Sequence, residues 1–282
     1  MPDRTADRSP PAGGNEVVIA TLRRRRTRAR TWFFIFIALI PLGCVGPIGL
    51  LQLVPEGATT PLMIAALILP FVALGGMLLM LFDRGRYSRA LAAAEQAQRM
   101  GLRYIEKPAA PAYARVQALQ TFNDADAQVG AVNLLTGDAD QLPLTIVDFA
   151  FAVGYGKGKA VYDQTVFLVE EAVAGVPDFV LYPRSWRDKL SKLLGDRFLE
   201  VPGQAAFNRQ FALRGTEEAV AFFNPQVVQL CLAEKDMTLE AQAGLLAACR
   251  FGKHVEPASY SQVVNWMARV AEALRAGSKD GG

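Results

Sequence analysis

Two long runs without a charged residue constrain this chain more than any other feature of its sequence. They cover residues 32–54 and 61–82 and are separated only by "PEGATT". Each run has about the 20 apolar residues that a helix needs to cross the hydrocarbon core of a bilayer. The sequence therefore predicts a two-helix transmembrane hairpin over residues 31–83.

Buried core helices and, for the first run, a secretory signal peptide are the alternatives. Core helices of this length are seldom wholly uncharged. The first run is too long for the apolar region of a signal peptide, and no A-x-A-like cleavage site follows it. We therefore favour membrane spans.

Arginine residues flank both runs, whereas Glu56 is the only charged residue in the turn between them. Because positive charge is retained on the cytoplasmic side of a membrane, the pattern predicts a multi-pass protein of the bacterial inner membrane with both termini in the cytoplasm. The lipid bilayer is then a partner, and the net charge of +3 gives no reason to expect a nucleic-acid partner. The residues assigned to membrane topology are Arg23, Arg24, Arg25, Arg26, Arg28, Arg30, Arg84, Arg86 and Arg89.

The rest of the chain divides by composition. Residues 1–30 begin polar and rich in Pro and Gly and end in the arginine run, which predicts a disordered, basic tail. Residues 84–113 read as a juxtamembrane helix followed by a Pro/Ala connector. Residues 114–282 are predicted to be a cytoplasmic domain.

This last domain has the pattern of an α+β fold with a mainly antiparallel sheet and packing helices. Its segments "QVGAVNLL", "LTIVDFAFAV", "AVYDQTVFLVE" and "DFVLYP" are rich in β-branched and aromatic residues and are bounded by turn residues. Helices are predicted at "PQVVQLCLAE", where Asn224 precedes Pro225, and at the closing "SYSQVVNWMARVAEALRAG". Consecutive hairpins followed by helices are typical of this fold class.

The stretch "VGYGKGKAVYDQT" invites a nucleotide-binding interpretation, but its spacing does not fit one. From Gly154 to Gly158 it is one residue short of a phosphate-binding loop, and Ala160 stands where a hydroxyl would hold magnesium. A hairpin tip centred on residues 156–157 is the better interpretation. Its register places Asp148 opposite Thr165, with Asp163 as a diagonal neighbour of Asp148 at roughly 7–8 Å.

Asp148, Asp163 and Thr165 are thus the candidate binding residues. Paired aspartates can bind a cation or do acid/base work, and a polar solvated face is the alternative interpretation. The single histidine, His254, and three dispersed cysteines exclude a multi-histidine or structural zinc site, and no cofactor is expected. Aromatic residues near basic ones also suggest a binding edge, namely Tyr155, Tyr182 and Trp186 near Lys157, Arg184 and Arg187.

Three segments within residues 148–230 carry a resemblance, namely "DFAFAVGYGKGKAVYDQTVFLVEE", "VPDFVLYPRSW" and "FNRQFALRGTEEAVAFFNPQVVQL". They resemble a group of uncharacterised bacterial membrane-anchored proteins with a C-terminal domain of unknown function. The resemblance implies the architecture and transfers no catalytic residue.

Two functions follow as hypotheses. The first is an integral membrane protein that presents a cytoplasmic interaction or binding domain, with a protein partner or a second copy of the chain as its target. The alternative is a membrane-tethered, metal-assisted enzyme that uses Asp148 and Asp163. An enzyme is the less favoured of the two because the sequence offers no complete catalytic constellation.

Overall fold

The computed structural model describes residues 14–51, 59–123, 127–139, 142–153, 160–186 and 198–277. The chain forms two compact units, one up to Ala92 and a larger one from Ala93 onward. The first unit is helical, and the second holds the sheet. The domain limits derived above from composition stay predictions.

Two long helices dominate the first unit. Helix α1 spans Gly14–Leu51, and helix α2 begins at Thr59 and runs to Arg99. Residues 14–30, predicted as part of a disordered tail, are helical, whereas residues 1–13 lie outside the described part of the chain. The described side chains of these helices leave several large apolar groups exposed, among them Trp32, Phe34, Phe71 and Val72.

The membrane prediction is contradicted. Among the described residues, no helix has the length and apolar character needed to cross a bilayer. The prediction rested on the lack of charged residues in each run, and the lack of charge does not by itself make a spanning helix. The predicted membrane spans and multi-pass inner-membrane localisation are therefore wrong. The topology role given to the nine flanking arginines stays a prediction that no observation tests.

The second unit is built on an eight-stranded sheet, and its α+β class with antiparallel strand pairing is confirmed. The spatial order is β1-β2-β3-β4-β8-β7-β5-β6. The strands are β1 Arg103–Ile105, β2 Ala127–Ala139, β3 Leu142–Val153, β4 Ala160–Val169, β5 Phe179–Pro183, β6 Phe211–Gly215, β7 Thr238–Gln242 and β8 Leu245–Cys249.

The helices of this unit are mostly short. Single-turn helices α3 (Ala114–Gln117) and α4 (Gln120–Asn123) lie between β1 and β2, and α5 (Ala205–Gln210) and α6 (Glu217–Val220) flank β6. The longer ones are α7 (Pro225–Ala233) and α8 (Tyr260–Gly277). Short 3-10 turns cover Ala110–Tyr113, Arg184–Trp186 and Pro257–Ser259.

The register of β3 with β4 matches the prediction. Asp148 pairs with Thr165 and Ala150 pairs with Asp163, and the last pair is Val153 with Ala160. The tip itself, residues 154–159, lies outside the described residues. Because side chains alternate between the two faces of a strand, this register decides which residues of the hairpin enter the core.

Each face of the sheet is covered by a separate cluster of aromatic side chains. On one face Phe122 of α4 packs 5.2 Å from both Phe149 and Phe151 of β3, measured between ring centroids. On the opposite face Phe167 of β4 meets Tyr260 of α8 edge to face at 5.4 Å. Aromatic pairs of this geometry add about 1 kcal/mol each beyond the area they bury.

Helices α7 and α8 are joined through Asn224, the residue before α7. Its Oδ1 accepts hydrogen bonds from the N–H groups of Gln226 and Val227, each at 3.0 Å. Its Nδ2 donates to the carbonyl oxygen of Ala273 in α8 at 3.0 Å. One side chain therefore caps the first helix and anchors it to the second, which explains why the sequence starts α7 at this point.

We predict that Asn224→Ala lowers the free energy of unfolding by about 2 kcal/mol, because it removes an N-cap and leaves the Ala273 carbonyl without its donor. Asn224→Asp keeps the capping oxygen and loses only the donor, so its loss is expected to be about half as large. Urea unfolding followed by circular dichroism measures both. The exposed Gln226→Ala is the control, and an equal effect of all three substitutions would contradict the assignment.

Candidate functional site

The carboxylate of Asp148 is buried in the middle of the sheet and surrounded by polar partners. Only 3% of the residue is exposed. Its Oδ2 accepts a hydrogen bond from Asn133 Nδ2 at 2.9 Å, and its Oδ1 accepts one from Thr165 Oγ1 at 2.8 Å. The Nδ1 atom of His254 lies 3.3 Å from the same Oδ1. We call Asp148, Asn133, Thr165 and His254 the Asp148 cluster.

Backbone geometry on neighbouring strands brings these side chains together. Thr165 is the direct cross-strand partner of Asp148, as predicted. Asn133 lies where the register of β2 and β3 shifts, and its φ of 54° is in the left-handed region, which Asn tolerates better than most residues. Tyr104 on β1 donates from its hydroxyl to Asn133 Oδ1 at 2.8 Å, which orients the amide toward Asp148.

His254 is held in place by the loop that follows β8. The N–H of Val255 donates to Thr165 Oγ1 at 3.0 Å, and the N–H of Gly252 donates to Gln164 Oε1 at 3.0 Å. The imidazole keeps 37% of its surface exposed. The contact of His254 with Asp148 could not be predicted from the sequence, because no local pattern links residues 106 positions apart.

Asp163, the second predicted aspartate, does not join this cluster. It lies on the same face of the sheet but is exposed, whereas Asp148 is buried. Within the described residues no group of three or more His, Cys, Asp or Glu side chains is arranged to hold a metal ion. The binding role given to Asp148, Asp163 and Thr165, and the metal-assisted enzyme that would use the two aspartates, stay predictions.

The chemistry of the Asp148 cluster is that of a positioning network. Both carboxylate oxygens already accept hydrogen bonds, so this buried charge is compensated as interior charges must be. Thr165 Oγ1 donates to Asp148 and accepts from Val255, and the residue is fully buried, so a substrate has no access to this hydroxyl. The cluster fixes the loop around His254 against β3 and β4.

A second buried carboxylate, Glu240 on β7, lies on the opposite face of the sheet. It accepts hydrogen bonds from the N–H groups of Gln120 and Thr121 at 2.6 and 3.0 Å and from the Thr121 hydroxyl. Burial raises the pKa of Glu240 above its ordinary value, and these hydrogen bonds offset part of the shift. Glu240 thereby fastens the start of α4 to the sheet.

The two cysteines of the domain are buried and inert. Burial raises the pKa of Cys231 to about 12 and that of Cys249 further still, with the nearby Glu240 adding to the latter shift. Their thiols stay protonated near neutral pH, and a protonated thiol is a poor nucleophile.

An open cleft lies where β5 runs into the 3-10 turn Arg184–Trp186. The cleft has a volume of about 780 Å³. Its polar lining consists of Arg184, Glu200, Gln204, Asn208 and Arg209, and the remaining described lining is Val201, Pro202, Gly203 and Ala205. We call this the Arg184 cleft.

The wall of the Arg184 cleft is fixed by side-chain-to-backbone hydrogen bonds. Asn208 Oδ1 accepts from the N–H of Val201 at 3.0 Å, and its Nδ2 donates to the Val201 carbonyl at 2.9 Å. Arg184 Nε donates to the carbonyl oxygens of Asn208 and Phe211 at 2.6 and 3.0 Å. These bonds hold the segment before α5 and the end of α5 in one arrangement.

The described lining of the cleft includes Arg184 from the predicted binding edge. Tyr182, by contrast, is buried in the core of the sheet. Tyr155, Lys157 and Arg187 lie outside the described residues. The sequence offers no sign of Asn208 and Arg209 as site residues, because no local pattern marks the short helix α5 on which they lie, directly before β6.

Comparisons with known proteins yield no relative: no family model, curated protein or solved structure matches the chain. The resemblance of residues 148–230 to bacterial membrane-anchored proteins stays a prediction from the sequence.

We predict that Asp148→Ala lowers the free energy of unfolding by about 3 kcal/mol, because it leaves the buried donors of Asn133 and Thr165 without an acceptor. Asp163→Ala is expected to change it by less than about 0.5 kcal/mol, as exposed substitutions do. Thermal unfolding with and without Mg²⁺, Ca²⁺ or Zn²⁺ measures both effects. A metal-dependent rise in melting temperature that either substitution abolishes would contradict this assignment.

Glu240 predicts a pH dependence of stability. A carboxyl whose folded-state pKa is raised stabilises the fold fully below its unfolded pKa and loses that contribution as the pH rises through the folded value. We expect the unfolding free energy of the wild type relative to Glu240→Gln to fall as the pH rises above about 4.5. Urea titrations at a series of pH values measure the difference. A difference that stays constant or grows with pH would show that the pKa is not raised.

Proposed function

We propose that the domain from Ala93 onward is a ligand-binding module and that the Arg184 cleft is its binding site. The observation that carries this proposal is the cleft itself: an open volume of about 780 Å³ beside a guanidinium that backbone carbonyls hold in place. Small-molecule sites in proteins have volumes of roughly 300–1,000 Å³ and a few fixed polar groups, and this cleft meets both criteria.

The makeup of the cleft favours binding over catalysis. Its described lining has one carboxylate, Glu200, and lacks the Ser, Cys, Lys and His side chains that serve as nucleophiles or general bases. The histidine of the chain lies elsewhere, in the Asp148 cluster. The arrangement suits a site that binds a ligand and releases it without chemical change.

The fixed wall also supports a binding role. The paired hydrogen bonds of Asn208 with Val201 and the bridge from Leu199 to Leu213 of β6 hold the segment before α5. The hydrogen bond of Arg184 to the Asn208 carbonyl holds the end of α5. A site that is formed before the ligand arrives loses less conformational entropy on binding. The interaction domain predicted from the sequence is retained in this form, and its protein partner or self-association stays a prediction.

A pair of tryptophan substitutions tests the proposal on the full chain. Ala205 is exposed and lines the cleft, so Ala205→Trp is expected to fill part of the volume without disturbing the core. A library of small metabolites is screened by thermal shift against the wild type, Ala205→Trp and the control Ala233→Trp, which changes an exposed residue at the end of α7.

We expect compounds that raise the melting temperature of the wild type by about 5–10 °C at a hundredfold excess over their dissociation constant. Ala205→Trp should abolish that rise, and Ala233→Trp should leave it intact. A screen in which no compound stabilises the protein, or in which the stabilising compounds act equally on Ala205→Trp, would contradict the proposed function.

A further inference from the structure

We infer that the Arg184 cleft recognises an oxyanion, a carboxylate or phosphate group on the ligand, through Arg184 and Arg209. The inference rests on the proposed function and specifies its ligand class. Both arginines line the same cleft. Paired guanidinium groups are the side chains best suited to hold planar or tetrahedral oxyanions, because each presents two parallel N–H donors.

Arg184 is positioned by one edge of its guanidinium and leaves the other edge for a ligand. Its Nε–H donates to the two carbonyls at the end of α5, Asn208 and Phe211. Its two Nη groups make no hydrogen bond or ion pair with the residues that the structure describes. The Nε bonds restrict the side chain before binding, so a ligand need not immobilise a free arginine.

Arg209 supplies the second positive charge from α5. It is exposed, and in the described part of the chain it forms no ion pair with a carboxylate. The helix places it one residue after Asn208, whose carbonyl anchors Arg184. Fixing Arg184 on α5 therefore brings the two arginines to the same wall of the cleft.

The net charge of the described lining favours an anionic ligand over a cationic one. Two arginines against one carboxylate, Glu200, leave a net positive charge, which disfavours a free metal cation or an organic cation. An oxyanion on the ligand compensates this charge. Glu200 and Gln204 then remain for the neutral or donor groups of the same ligand.

The inference is tested by calorimetric titration of the full-length protein with two probes at constant ionic strength, inorganic phosphate and malonate. We expect saturable one-to-one binding of at least one probe. Phosphate binding alone would assign a phosphoryl group to the ligand, and malonate binding alone would assign a carboxylate. The substitutions Arg209→Ala and Arg209→Glu are tested first, because Arg209 makes no hydrogen bond or ion pair with a described residue.

Arg209→Ala should weaken binding roughly tenfold or more, as expected for the loss of a charge-assisted hydrogen bond, and Arg209→Glu should abolish it. Arg184→Lys keeps the positive charge but loses the paired N–H donors of the guanidinium, and it should weaken binding to a similar degree. The control Arg269→Ala removes an exposed positive charge of α8 and should have no effect. Unchanged affinity in Arg209→Glu, or no saturable binding of either probe, would overturn the inference.

Failure of this inference is distinguishable from failure of the proposed function. A neutral compound that stabilises the wild type but not Ala205→Trp would leave the cleft as a binding site and remove only its oxyanion specificity. If neither anions nor neutral compounds bind in a way that Ala205→Trp blocks, both proposals fail.

Discussion

The pairing of β3 with β4 is the constraint on which the sheet domain depends. With Asp148 opposite Thr165, the aromatic residues Phe149 and Phe151 face the cluster around Phe122, and Phe167 faces α8. A shift of β4 by one residue would exchange its two faces, so that Phe167 would lose its contact with α8 and Asp163 would enter the aromatic cluster around Phe122 without a partner. The penalty for burying an unpaired carboxylate and losing this packing makes the observed register far more stable than its neighbours.

The two polar regions of the domain have different physical roles. In the Asp148 cluster every strong acceptor is used internally, which stabilises the join between β2, β3, β4 and the loop after β8. In the Arg184 cleft, by contrast, a guanidinium is fixed by one edge and keeps donors for a ligand. A buried polar group whose hydrogen bonds are all made within the protein contributes to folding. A polar group in a cleft that keeps unused hydrogen-bond donors is suited to bind a ligand.

Much of the sheet is readable from the sequence because its signals are local. The hairpin of β3 and β4, the Asn224 cap and the amphipathic α8 follow from alternation, turn residues and helix periodicity. The contact of His254 with Asp148 joins residues that are distant in sequence, so no local pattern shows it. The hydrogen bonds of Asn208 with Val201 depend on the short helix α5, which no local pattern marks either. The membrane prediction failed because it rested on charge-free composition alone, whereas among the described residues no helix has the length and apolar character to cross a bilayer.

The central claim is that the Arg184 cleft, and not the Asp148 cluster, is where the domain meets its ligand. Hydrogen exchange measured by mass spectrometry on the full chain, with and without a stabilising ligand or saturating phosphate, locates the contact directly. The account predicts slower exchange confined to peptides that cover residues 198–211. Protection centred instead on residues 250–256 and 130–134 would place the ligand at His254 and contradict the account.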